Sequence, residues 1–247
     1  MASKYFTVEK LMPIAASVQH AAAFSDGDLV VDWQEIEIPK GASLLKSIVV
    51  LIRPKGDAGP TVNAKQFELF FSKTNTVSLG TVNSAVDNRP SNDFIGMAAF
   101  DGASGSETDA LQSTHIAQMG IDVGNPTIPL VIQGDITSGS NVGFDKIYVA
   151  MIAQGAFDFR SINAVNESNF AAGTQTVITM DGTGMDVREH FAAGDILHAE
   201  DDAVLGTVAS VDSATQITLT AANTDAIDED DIIYNLHPIK LILGFER

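Results

Sequence analysis

The chain has 247 residues and a formal charge of −18, from 14 basic and 32 acidic side chains, with 45% hydrophobic and 19% charged residues and no cysteine. This balance opposes attraction to a phosphate backbone or an anionic membrane, and the hydrophobic content sets the chain apart from disordered polyacidic tails. The absence of cysteine removes disulfides, thiolate nucleophiles, zinc-thiolate sites and iron–sulfur clusters together, while a folded chain of this mass buries about 70–75% of its unfolded surface without such staples.

In chain order, the uncharged stretch 11–25 is broken by Pro13, Gln19 and His20 and is too short for a transmembrane span. Lys4, Lys10 and the run Ala21-Ala22-Ala23 faintly resemble a secretory signal, but Glu9 and Pro13 fit that template poorly, so no cleaved signal is expected. The apolar segment from Phe6 to Phe24 has two readings, an arm toward a neighbouring subunit or, as expected here, a segment buried in its own domain.

Short apolar runs separated by turn residues predict strands at 29–38, 44–53, 66–73, 94–100, 127–133 and 146–154. Trp33-Gln34-Glu35-Ile36-Glu37-Ile38 alternates as a strand with one wet face does. Ser47-Ile48-Val49-Val50-Leu51-Ile52 is continuously apolar, which predicts a strand covered on both faces. Turn chemistry at Asp26-Gly27-Asp28, Pro54-Lys55-Gly56-Asp57 and Ser138-Gly139-Ser140-Asn141 separates these runs. Longer irregular regions lie at 83–92 and 102–114, and 111–119 is expected to form one short helix.

After the polar stretch 163–169 the cadence changes, with strands expected at 174–180, 196–199, 204–211, 216–220 and 231–236 and a helical turn at 186–191. The expected fold is all-β: a jelly-roll-like β-sandwich over residues 1–165, and a smaller β-barrel-like module near the C-terminus over residues 166–236. Pro238-Ile239-Lys240-Leu241-Ile242-Leu243-Gly244-Phe245 has the same character as the strand at 146–154, so residues 237–247 are expected to return as the last strand of the sandwich.

Catalytic constellations do not emerge. His20, His115, His190, His198 and His237 are scattered singly, without metalloprotease spacing, and only His190 and His198 suggest a meeting within the small module. Gly102-Ala103-Ser104-Gly105-Ser106 lacks nucleophile-elbow spacing, and no phosphate-binding glycine loop is present. A carboxylate pair of glycosidase type has few aromatic platforms to serve it, namely Trp33, Tyr5, Tyr148 and Tyr234. The acidic runs Asp225-Ala226-Ile227-Asp228-Glu229-Asp230-Asp231 and 101–109 have the oxygen ligands calcium prefers, but neither fits the EF-hand pattern, and solvated turns that protect strand edges are expected instead. No catalytic, cofactor-binding or metal residue is therefore assigned.

In the small module, Gly194-Asp195-Ile196-Leu197-His198-Ala199 and the following Val204-Leu205-Gly206-Thr207-Val208-Ala209-Ser210-Val211-Asp212-Ser213-Ala214-Thr215-Gln216-Ile217-Thr218-Leu219-Thr220 resemble a small β module of tailed-phage virion proteins. The first 165 residues are similar in architecture to the sandwiches of phage capsid decoration and cement proteins. The resemblance implies a non-enzymatic virion structural protein, a cement protein on the capsid surface after a stay in the host cytoplasm. Its partners would be the major capsid protein and itself, as a homo-oligomer such as a trimer, with neither nucleic acid nor membrane. The alternative is a tail or fibre module that binds a receptor or glycan through the regions 83–92 and 102–114.

Overall fold

The computed structural model describes residues 4–38, 40–54, 66–86, 92–101, 107–111, 114–120, 130–132, 145–160, 168–181 and 186–247. The fold is all-β, with three antiparallel sheets. The strands of the two larger-domain sheets are β1 (Tyr5–Met12), β2 (Leu29–Glu37), β3 (Ser43–Ile52), β4 (Gln66–Ser72), β5 (Phe94–Asp101), β6 (Glu107–Leu111), β7 (Thr114–Met119), β8 (Leu130–Ile132) and β9 (Lys146–Ala153). The small module contributes β10 (Val177–Thr179), β11 (Ile196–Ala199), β12 (Val204–Ser213), β13 (Gln216–Leu219) and β14 (Ile233–Asn235), and the chain closes with β15 (Ile239–Glu246). Among the described residues there are also two short helices, α1 (Ala16–Ala21) and α2 (Val187–His190).

The sandwich has the strand order β1-β15-β3-β7-β6 in one sheet, with β8 also on β3, and β2-β9-β4-β5 in the other. Setting aside β6 and β8, the pairs β1 with β15, β2 with β9, β3 with β7 and β4 with β5 join first to last, second to second-last, and so inward. This is one long antiparallel ribbon rolled across two sheets, the jelly-roll arrangement. The last strand therefore lies in the sheet that opens the chain, paired with β1 on one side and β3 on the other.

The core between the sheets follows from the period-two pattern. Ile48, Val50 and Ile52 of β3 and Leu241, Leu243 and Phe245 of β15 face Phe67, Leu69 and Phe71 of β4 and Val149 and Met151 of β9. Phe67 stacks on Phe100 with ring centroids 4.6 Å apart and meets Phe157 edge-on at 6.3 Å. Met12, Ile14 and Phe24 are buried in the same core, so the Phe6 to Phe24 segment is largely part of its own domain, with β1 as an edge strand.

Two local expectations are overturned. Residues 114–119 form a strand rather than a helix: His115 and Ala117 are buried while Ile116 and Gln118 are half-buried, and pairing with β3 decides between periods that a short segment cannot resolve. The run Ser47–Ile52 is not covered on both faces, because Val49 and Leu51 are only half-buried. Among the described residues the strand buried on both faces is β9, whose outer side is roofed by the segment after β4: Leu79, Val82 and Val86 cover Trp33, Tyr148 and Ile152. That roof is tied down by Trp33 Nε1–H donating to the Val77 carbonyl (3.1 Å) and by Leu79 N–H donating to Asp32 (3.2 Å).

The small module is a five-stranded path, β10-β13-β12-β11-β14, and among the described residues it is an open sheet rather than the barrel-like closure expected. Its long strand β12 bends through two register shifts against β13, and Leu197, Leu205, Val208, Ile217, Leu219, Ile233 and Tyr234 fill its core. Asp186 caps α2 by accepting from the Arg188 N–H at 3.0 Å. Of the predicted strands, 127–133 is observed as β8 over Leu130–Ile132, and the remainder lies outside the described residues.

Candidate functional site

The two outer faces of the sandwich differ. One is roofed by the chain's own segment, as above; the other, on the β1-β15-β3-β7 sheet, carries no such cover among the described residues. Strand register sets out its rows. Leu11, Lys240, Leu51 and Ile116 stand opposite one another in one row, and Glu9, Ile242, Val49 and Gln118 in the next. Ion pairs lace this apolar ground: Lys240 Nζ to Glu9 at 2.6 Å and Lys46 Nζ to Glu246 at 3.2 Å, with the Tyr5 hydroxyl donating to Glu246 at 3.0 Å. Gly244 keeps the face close-packed, since a Cβ there would stand 2.1 Å from the Ser47 hydroxyl.

Over one end of this face the small module projects its 192–195 turn, leaving a cavity of about 480 Å³ walled by Leu11, Leu51, Arg53, Asp195, His237 and Lys240. Arg53 Nη2 reaches Asp195 Oδ2 at 3.1 Å across the gap, and the same oxygen accepts the Ala192 N–H at 2.8 Å. Burial pushes the Asp195 carboxyl above its ordinary range, against the pull of the Arg53 guanidinium. His237 is shifted the other way: burial first, then the neighbouring His198 and Lys10, disfavour its protonated form. The electrostatic neighbour of His237 is thus His198, a pairing with no spacing signal in the sequence. Nδ1 of His198 lies 3.0 Å from the Asp202 carbonyl, which can only accept, so Nδ1 is the donor in that bond and Nε2 is the ring's second nitrogen. Neither that Nε2 nor Nδ1 of His237 has a hydrogen-bond partner.

Helix α1 fastens the sandwich to the module. Ser17 offers its N–H and hydroxyl to Asp202 at 2.9 and 2.5 Å, and the wholly buried Gln19 donates from Nε2 to the Ile14 and Asn235 carbonyls at 2.7 and 2.9 Å. The Tyr234 hydroxyl gives its only proton to the Arg160 carbonyl (3.1 Å), so His20 Nδ1, 2.9 Å away, is the donor to it. Burial and nearby carboxylates raise the Tyr234 hydroxyl far above its ordinary range.

The cavity lining has no hydroxyl or thiol nucleophile, and its cations already face carboxylates. The acidic run ending at Asp231 folds as a turn in which Asp228 N–H donates to Asp231 (2.7 Å) and Ala226 N–H to Asp225 (2.8 Å). Among the described residues no group of three or more metal-ligating side chains is assembled, and no helix is long and apolar enough to cross a membrane. Ser104 and, of the 83–92 and 102–114 regions, residues 87–91, 102–106 and 112–113 lie outside the described residues. Sequence reasoning missed Gln19, Arg53, Asp195 and Tyr234 as joint residues; only the polar pair Gln19-His20 inside an apolar run hinted at a contact there. No family model matches the chain, and no curated protein matches it either.

Proposed function

We propose that the chain is a non-enzymatic virion structural protein of a tailed phage, a capsid decoration or cement protein that binds the assembled head and stabilises it. The observation that supports this most is the first-with-last jelly roll, an architecture used by viral capsid domains, in which one broad sheet face is overhung, among the described residues, only at one end by the 192–195 turn. A cement protein works by burying surface that only the assembled shell presents, so it stabilises the shell by mass action. Purified protein added to undecorated, expanded heads is expected to cosediment with them and raise their melting temperature. Unchanged melting at saturating protein overturns the proposal.

A second reading, a receptor- or glycan-binding module of a tail or fibre, is favoured by the aromatic group on β5 and β2. Phe94 is 37% exposed and packs edge-on against Trp33 and Phe70, each with centroids 5.7 Å away. Jelly rolls also serve as lectins. A glycan array separates the two, since a cement protein shows no sugar preference.

A further inference from the structure

The edge of β1 supports an inference that stands apart from the virion reading. Lys4 and Arg247 exchange both backbone hydrogen bonds, N–H to carbonyl at 3.0 and 2.9 Å. Bonded pairs alternate along an antiparallel ladder, and the β1–β15 register is unbroken from Tyr5 to Met12. Phe6, Val8, Lys10 and Met12 therefore turn their N–H and C=O groups toward β15, while Tyr5, Thr7, Glu9 and Leu11 turn theirs away from the sheet. Among the described residues no strand pairs with that side of β1. The same strand carries Tyr5 and Leu11, 70% and 41% exposed, both on the outer face of the sheet.

We propose that β1 pairs antiparallel with β1 of a second copy of this chain, about a two-fold axis through Val8, joining the two open sheets into one. Only registers that oppose outward-turned residues to outward-turned residues can form hydrogen bonds, so the axis must pass through a residue of the strand and not between two. With the axis at Val8, Tyr5 bonds to Leu11 of the second copy and Thr7 to Glu9, and every outward N–H and C=O of the strand finds a partner. Shifting the axis to Glu9 sets two carboxylates face to face and leaves Tyr5 unpaired; shifting it to Lys10 opposes two ammonium groups. An axis at Thr7 carries Leu11 past the end of the strand. Like charges directly opposed destabilise such pairs, whereas an exposed aromatic ring beside an exposed leucine takes apolar surface of both out of water.

On the outer face the Val8 register lays the exposed flank of Tyr5 against Leu11 of the other copy. Leu11 walls the cavity beside the small module, so the second copy extends that wall. The assembly is isologous and two-fold, in place of the trimer expected from sequence resemblance.

Light scattering on the purified chain is expected to give twice 26.1 kDa. Thr7→Pro removes an N–H that faces away from β15, a position an edge strand tolerates, and is expected to give a 26.1 kDa monomer with an unchanged Trp33 fluorescence melt. The chain has no cysteine, so Val8→Cys places a single thiol on the axis. The non-bonded pair there has Cα atoms about 4.5 Å apart, within disulfide reach. Oxidation is expected to link Val8→Cys into dimers and to leave Leu11→Cys unlinked. A monomeric or trimeric wild type, a dimeric Thr7→Pro variant, or equal cross-linking of the two cysteine variants overturns the pairing. Head binding lost in Thr7→Pro while the wild type is monomeric also overturns it, by assigning the edge to a strand of the capsid. Failure of the head-melting experiment leaves these masses untouched, so the two proposals fall separately.

Discussion

The sandwich and the small module are both antiparallel β structures, yet they are closed by opposite means. In the sandwich, Tyr5 pairs with Glu246 and Met12 with Ile239, so the first strand has no partner until nearly the whole chain is present. In the module, β11 pairs with β12 and β12 with β13, neighbours joined by tight turns. Their cores differ in the same sense: stacked phenylalanines from distant segments in one, and mainly aliphatic side chains with Phe191 and Tyr234, drawn mostly from residues 178–234, in the other. Long loops must be closed before distant contacts stabilise anything, so the module is the region able to form early and the sandwich the region that waits. The two regions are therefore expected to differ in stability, with α1 and the Arg53–Asp195 pair as the contacts that join them.

The hardest test of that division is Phe67→Ala. It removes a fully buried ring from the middle of the sandwich core and is expected to cost about 3–5 kcal/mol. Trp33 is the single tryptophan and belongs to the sandwich, so urea unfolding followed by its fluorescence reads this region. A loss near 1 kcal/mol would show that the phenylalanine cluster closes over the gap. Leu197→Ala does the same to the module, where about 2–5 kcal/mol is expected, seen in amide hydrogen exchange of residues 196–219 while the Trp33 transition stays in place. Both signals moving together would dissolve the distinction and make the chain one cooperative unit.

A smaller effect is expected at the joint. Gln19→Ala leaves the buried Ile14 and Asn235 carbonyls without their donor, a loss of about 1–3 kcal/mol. It is expected to pull the fluorescence and exchange transitions apart; if their separation is unaltered, α1 is not what couples the regions. The smallest effect is pH dependence at His237, whose imidazole is held below its ordinary value of 6.5. Above that value folded and unfolded chains both carry the neutral ring, and stability is indifferent to it. Below 6.5 the unfolded chain takes the proton first, so stability falls with pH until the folded value is reached. A His237→Gln variant should show a flatter melting profile in this window, and an identical profile would place the acid sensitivity elsewhere.

Much of the fold was legible because strands announce themselves locally. The strand Ile196–Ala199 and the long runs of β3 and β9 stand out as apolar segments bounded by turn residues. Edge strand β1 was harder, since its alternating Lys10 and Glu9 read as surface, and β7 was misread because its pairing with β3, not its own period, makes it a strand. Which apolar run is buried on both faces depended on where the segment carrying Leu79 and Val82 folds, and that is a tertiary fact. The joint was nearly invisible: Gln19, Arg53, Asp195 and Tyr234 come from distant points of the chain, and no spacing rule connects them.

The Tyr234–Arg160 hydrogen bond holds the module's exit beside its entrance, since the strand before Arg160 ends at Ala153 and the sandwich resumes at Ile239. Seen from the sandwich, everything between is a loop, however elaborate its contents. A scaffold with such a doorway can exchange one cassette for another without redrawing its strand order, so the surface near Leu11 and Arg53 can diversify while the jelly roll stays fixed.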